Sequence, residues 1–288
     1  MKKIMSALAV TVVAVGISGC AAKAPSTSTP ATPAATTTQA PQAPVPGKLA
    51  LDYPIVATTS AKTGDYVLVP GKTAVEELRT KTDSTVIFYA AKMVTPGTNE
   101  SEVEDLPGTK YSVPNSLILP LKSGESVKAG DLVTTWWQSG SGLTQAVALT
   151  AGTTPKVAYL DKSMTGEDTL QANSFTKLTG SLDLGAVVAV KDGADYTSAV
   201  LVGRADGKAL VSGWAGSLKV VNESDLVALP VKPSVKAGDK VMAPVIGTYQ
   251  EVTIKEVDAK KGLLKCTYDW AGSPSEENFY FGQVISKF

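Results

Sequence analysis

The sequence predicts an all-β chain built from tandem small β units, and three observations predict it. Short β-branched runs recur between Gly, Pro, Asp and Asn, as in Tyr66-Val67-Leu68-Val69, Val86-Ile87-Phe88-Tyr89, Ala186-Val187-Val188-Ala189-Val190 and Val252-Thr253-Ile254. Helical periodicity is almost absent: the best candidate is Thr73 to Arg79, one or two turns, with Thr73 as a cap and Glu76 closing a capping box. An internal repeat is the third signal. Val127-Lys128-Ala129-Gly130-Asp131-Leu132-Val133 returns as Val235-Lys236-Ala237-Gly238-Asp239-Lys240-Val241, and a Leu-Pro-aliphatic step precedes each copy, at Leu119-Pro120-Leu121 and Leu229-Pro230-Val231.

The first 19 residues are read as an export signal. Lys2-Lys3 form a charged start, Ile4 to Gly16 an apolar or weakly polar run, and small residues follow. The run is too short to span a bilayer, which takes about 20 apolar residues. It ends in Ile17-Ser18-Gly19-Cys20, which resembles the lipobox of bacterial lipoproteins. The resemblance implies cleavage before Cys20 and acylation of Cys20 by palmitate-like chains, whose burial at about 0.8 kcal/mol per methylene anchors the chain to a membrane. Ala21-Ala22 after the cysteine, with no Asp, resembles the outer-membrane class in bacteria with two membranes. Residues 21–47 are almost only Ala, Pro, Thr, Ser and Gln. Such a segment cannot bury a core and is expected to be a disordered, extended linker.

Beyond it, looser copies of the Gly-led strand start stand at Lys62-Thr63-Gly64-Asp65 and Leu182-Asp183-Leu184-Gly185. Glycines 64, 130, 185 and 238 thus head four units, the glycines standing 66, 55 and 53 residues apart. The expected division is 48–125, 126–180, 181–232 and 233–288. A five-stranded barrel needs about this length, and units this small gain stability by packing on each other. The spacing Gly185-x-x-Val188-x-Val190, Tyr196-x-x-Ala199-Val200, Ala209-Leu210-Val211 and Asp225-Leu226 resembles SH3-like and Tudor-like barrels. So does the last unit, with Gly238-Asp239-Lys240-Val241, Val252-Thr253-Ile254, Leu264 to Tyr268 and Phe279-Tyr280-Phe281. The resemblance implies tandem small barrels in two duplicated pairs; a tandem β-sandwich is the alternative.

Aromatic residues are the candidate ligand contacts. Trp136-Trp137 follow the second Gly-led start, and neighbours on a strand face opposite sides, so one points away from its own core. In SH3-like and Tudor-like barrels, aromatics from the loops after the first and third strands line a ligand groove. The resemblance places Tyr196 with Trp214, and Tyr249 with Tyr268 and Trp270, at those positions. Packing between units is the competing use for these rings. Other motifs point nowhere. Pro70-Gly71-Lys72-Thr73 lacks the earlier glycine of a phosphate-binding loop, because that position is Tyr66. Gln138-Ser139-Gly140-Ser141-Gly142 reads as a hairpin turn. Glu100, Glu102, Glu104 and Asp105 read as a solvated acidic turn, their spacing matching no calcium loop. Glu276-Glu277 could serve as the acid and base of a glycosidase, but nothing near them in the sequence suggests a tuned pKa.

Composition narrows the function classes. The chain has no His, which excludes Ser-His-Asp and Cys-His catalysis and His-ligated metals. Loss of Lys2 and Lys3 leaves the mature chain slightly acidic, against a nucleic-acid partner. With Cys20 acylated, Cys266 has no partner for a disulfide and is expected in the core. No cofactor or metal is expected. The leading expectation is a non-enzymatic envelope lipoprotein that displays β-modules to a protein, peptide or peptidoglycan partner. A purely structural spacer and a carboxylate-dependent glycan hydrolase are the alternatives.

Overall fold

A computed structural model describes residues 45–140, 142–161 and 166–288. The signal, Cys20 and the linker as far as residue 44 lie outside the described residues, as does Ser141. Residues Ala43–Phe288 form one compact unit. The protein is all-β, and no helix among the described residues is long and apolar enough to cross a membrane.

The strands fall into four sets with one plan. The first holds β1 (Tyr66–Pro70), the helix α1 (Lys72–Leu78), β2 (Phe88–Thr95), β3 (Glu100–Asp105), β4 (Lys110–Pro114) and β5 (Leu119–Pro120). The second holds β6 (Leu132–Trp136), β7 (Leu143–Ala148), β8 (Lys156–Tyr159), β9 (Glu167–Thr169) and β10 (Thr176–Lys177). The third holds β11 (Val187–Asp192), β12 (Asp195–Ala205), β13 (Lys208–Gly213), β14 (Leu218–Asn222) and β15 (Leu226–Ala228). The fourth holds β16 (Lys240–Val245), β17 (Thr248–Asp258), β18 (Leu263–Trp270) and β19 (Ser273–Tyr280), with Ile285 bridging back to Met242 on β16 in place of a fifth strand. In each set the order is fourth, third, second, first, fifth, all antiparallel. The third and fourth sets merge into a nine-stranded sheet through Thr197 on β12 and Thr248 on β17.

The four glycines do the same work in each set. Gly64, Gly130, Gly185 and Gly238 have φ of 88, 83, 85 and 90°. That is the third position of a type II turn, where a side chain is penalised. The N–H of the next residue closes each turn on the carbonyl three residues back: Asp65 on Lys62, Asp131 on Lys128, Ala186 on Asp183 and Asp239 on Lys236. Each glycine N–H then bonds to the second strand, at Met93, Ala148, Leu201 and Ile254, at 2.7–2.8 Å. Where Asp follows the glycine, its carboxylate accepts from the first turn residue's N–H, at Lys62, Lys128 and Lys236 (2.8–2.9 Å). The Lys-x-Gly-Asp spelling is therefore a side-chain-capped turn. A bulge follows directly on the second strand in three sets, after Met93, Leu201 and Ile254. In the remaining set Leu149 and Thr150 both donate to Lys156. Bulges bend and twist the strand at that point.

Three readings change. First, α1 starts at Lys72 with Gly71 as its N-cap and no side-chain cap, so Thr73 and Glu76 lie inside it and form no capping box. Strand β1 runs up to Pro70 and leaves only Gly71 for the cap. Second, the Leu-Pro steps are not equivalent. Pro120 pairs with Val67 and Ala228 with Val188, each three residues past its glycine, so Pro120 matches Ala228 and not Pro230. Third, Glu100 to Asp105 is strand β3, with Ser101 and Val103 turned inward.

Glu100 fastens the start of the fold. Its carboxylate accepts from Arg79 (2.6 Å), the Gly47 N–H (2.7 Å) and Ser112 (2.7 Å). Gly47, the last residue of the expected linker, is thus already bound into the fold. Burial opposes ionisation of Glu100, but these three bonds outweigh it and hold its pKa at about 2. A carboxyl depressed below its unfolded value of about 4.3 adds stability above that value and loses it as pH falls toward 2. Glu100→Gln is expected to cost about 2 kcal/mol at pH 7 and much less at pH 2.5, read by urea unfolding at both pH values. An equal cost at both would contradict this role.

The cores are shared between sets. The first set's cluster includes Trp136 from the second and Val202, Leu210 and Leu218 from the third. The fourth set's cluster takes in Leu132, Val147 and Leu160 from the second and Ala186 from the third. Cys266 sits in that cluster, fully buried, its thiol pushed up to about 11 by burial. Asp131 ties the second set to the segment before the fourth, bonding Lys177 (2.7 Å) and Lys232 (3.3 Å).

Candidate ligand-binding site

The connection from β13 to β14 is Trp214-Ala215-Gly216-Ser217. Ala215 and Gly216 are both left-handed, with φ of 56 and 77°. The loop is clamped from behind. The Val86 N–H donates to Gly216 at 2.9 Å, Thr85 and Ser217 form a β-bridge, and a Cβ on Gly216 would lie 2.8 Å from the Val86 carbonyl. With its backbone held, the loop turns Trp214 outward, 68% exposed.

Trp214 lies across the Ile246-Gly247 hairpin of the fourth set. A Cβ on Gly247 would come within 3.0–3.2 Å of Trp214 Cβ and Cγ, so only glycine lets the two loops meet. Ile246 and Gly247 have φ of 48 and 82°, the two-residue I′ turn that favours Asn-Gly. A β-branched residue in the left-handed region costs about 1–2 kcal/mol, and here it also leaves Ile246 56% exposed. Two large apolar side chains thus stand side by side in solvent on strained turns, the pattern found at ligand-contacting sites. Ile246→Asn is expected to stabilise the fold by about 1 kcal/mol, read as a higher urea midpoint at unchanged slope; a loss of stability would show that Ile246 packs usefully.

The Trp214–Ile246 ledge separates two clefts of about 630 and 440 Å³. Ser198, Ala199, Gly213 and Gly247 border both. The larger lies between the third and fourth sets and is reached by Asp161 of the second; its charged members are Asp161 and Glu277, both acidic. The smaller opens toward the interior of the third set, over Val190, Ala199 and Val211, with Lys191, Asp192 and Lys219 around it. The larger volume suits a small ligand or a short segment of a polymer.

The other candidates separate. Trp136 is 1% exposed, packed into the first set's core with its ring 5.0 Å from Tyr66. A ligand does not reach it, because the strand that turns Trp137 toward its own set drives Trp136 into the neighbour's. Trp137 packs on its own core, covered by the backbone of Gly140 in its hairpin. Tyr196 and Tyr249 are brought together by the last residue: Phe288 stacks on Tyr196 at 3.8 Å and meets Tyr249 edge-on at 5.1 Å. These two tyrosines therefore pair with each other through Phe288, and not with Trp214 or Trp270. Tyr268 donates to Glu277 at 2.8 Å, behind the wall of the larger cleft. Trp270 is half-exposed at the β18–β19 turn.

Glu276 is held by Lys255 and Lys265, at 2.5 and 3.3 Å, on the strand face opposite Glu277, so the two do not converge on one cleft. Among the described residues, no group of three or more His, Cys, Asp or Glu side chains is placed to hold a metal. Reading the sequence missed Ile246 and Gly247. Their signal was an isoleucine-glycine pair between two alternating strands, a hairpin turn with the wrong first residue. Comparison with protein-family models and with curated proteins found no match to this chain.

Proposed function

We propose that this protein is a non-enzymatic envelope lipoprotein, anchored through Cys20, that binds an extracytoplasmic partner on the Trp214–Ile246 ledge. In a bacterium with two membranes it sits at the outer one. The observation that carries the reading is the ledge itself. An indole 68% exposed and an isoleucine held at φ 48° are both unfavourable for the isolated chain. A partner that covers them removes that exposure, as aromatic anchors do at binding hot spots.

The four strand sets are read as SH3-like or Tudor-like modules. Support comes from the shared strand order and, in the first and third sets, a short 3-10 turn ahead of the fifth strand, at Asn115–Leu117 and Glu223–Asp225. In this reading the modules are a rigid mount, because their cores are shared. In this reading residues 21–47 tether the mount to the lipidated Cys20. Partner classes are peptidoglycan, another envelope protein or a host surface.

Incubating residues 43–288 with purified peptidoglycan sacculi, and with immobilised envelope extract, tests the reading. Retention that a Trp214 substitution abolishes is expected. Retention on neither, or retention indifferent to Trp214, contradicts it.

A further inference from the structure

Trp214-Ala215-Gly216-Ser217 recurs once in the chain, as Trp270-Ala271-Gly272-Ser273. The two copies occupy the same place in the plan, joining third to fourth strand, β13 to β14 and β18 to β19. They share a backbone: alanine at φ 56 and 53°, then glycine at 77 and 81°. They share an outcome, with the indoles 68% and 47% exposed. Alanine is a poor choice for a left-handed position, where Asn or Gly is easier. Core packing does not demand these tryptophans, because neither is buried. Two identical, strained, outward-facing tryptophan turns point to one contact made twice.

We propose that the two Trp-Ala-Gly-Ser turns are equivalent contact loops for a single neutral glycan strand, each indole stacking on one sugar ring. The proposal rests on the reading of Trp214 as a ligand contact and names the partner's chemistry. A sugar ring offers an apolar C–H face and a rim of hydroxyls. An exposed indole matches the face, with its N–H for the rim. The larger cleft beside Trp214 adds hydroxyl and amide groups from Ser198, Ser212, Asn278 and Gln283. The larger cleft has only Asp161 and Glu277 as charged members and the smaller sets Lys191 and Lys219 beside Asp192, so neither presents the dense basic array that a polyanion requires. The duplication selects a polymer: a repeating strand presents the same ring to both turns, and the second contact then forms at high effective concentration.

The test uses the full chain and β-1,4-linked N-acetylglucosamine oligomers from dimer to octamer, titrated by calorimetry. Affinity is expected to rise at least tenfold with oligomer length. Trp270→Ala is expected to abolish the rise and to halve the number of dimer sites, the Trp214 turn still binding; Trp270→Phe should keep most of the rise. The double variant, with Trp214→Ala, should bind no oligomer. Melting curves verify that each variant is folded. Affinity independent of length, or unmoved by Trp270→Ala, overturns the proposal. Should oligomers of every length fail while sacculi or an envelope protein still bind through Trp214, the glycan inference is wrong and the binding reading stands. Failure of all of these removes both.

Discussion

Trp214→Ala is expected to weaken partner binding at least 30-fold while changing folding stability by less than about 0.5 kcal/mol. A central aromatic anchor is worth about 2 kcal/mol or more on truncation, which is a factor of about 30 in affinity. The small stability effect follows from exposure: the indole faces solvent, and where it lies over Gly247 it meets a residue with no side chain. The pairing of the two results is what discriminates. A packing role predicts loss of stability with retained binding. Ile246→Asn is expected to act in the same direction on binding, with a gain in stability, because it relieves the turn and removes the second apolar group. Binding assays and urea unfolding on the same samples read both quantities.

Trp136→Ala is expected to have the opposite profile and the largest stability effect in the chain. Its indole is buried, packed between the second strand set and the first, and joined there by Val202 and Leu210 of the third. Removing a fully buried tryptophan costs about 3–5 kcal/mol. For a folded part of this size that lowers the melting temperature by about 10 °C. Because the cores are shared, the loss is expected in one cooperative transition that carries all four strand sets. A variant that melts in two steps, with the fourth set unaffected, would show that the sets fold separately.

The four turn glycines were legible in the sequence because a type II turn has few spellings. Lys-x-Gly-Asp states both the positive φ and the carboxylate that caps the turn, and it appears three times. The third set spells it Asp-Leu-Gly-Ala, and there the turn was read from the glycine and the valines after it. Strand β3 was legible too, in the alternation of Glu100, Ser101, Glu102 and Val103, but the flanking Pro-Gly pairs outweighed it and suggested a turn. The Leu-Pro steps misled because two residues that look alike lie two positions apart in register, and only the pairing with β1 and β11 separates them.

The site was legible in part. Trp214 stood out by composition, an indole among Gly, Ala and Ser. What no single set could reveal is which loops of different sets meet. Gly247 touches Trp214 only because β12 and β17 join the third and fourth sets, and that joint is one residue pair. The same joint brings Tyr196 and Tyr249 to Phe288, which replaces the two aromatic groupings expected from position within each set. Trp136 and Trp137 were expected to face opposite ways, but which of them enters a neighbour's core depends on where that neighbour sits.

The most direct measurement is fluorescence from a chain that keeps Trp214 as its sole tryptophan, with Trp136, Trp137 and Trp270 replaced by Phe, titrated with purified sacculi. The free protein is expected to emit at the long wavelength of a solvated indole and to be quenched readily by acrylamide. Saturating sacculi are expected to shift the emission to shorter wavelength and to protect it from quenching. Sacculi that sediment with the protein while leaving both readings unchanged would contradict the claim that Trp214 is where the partner binds.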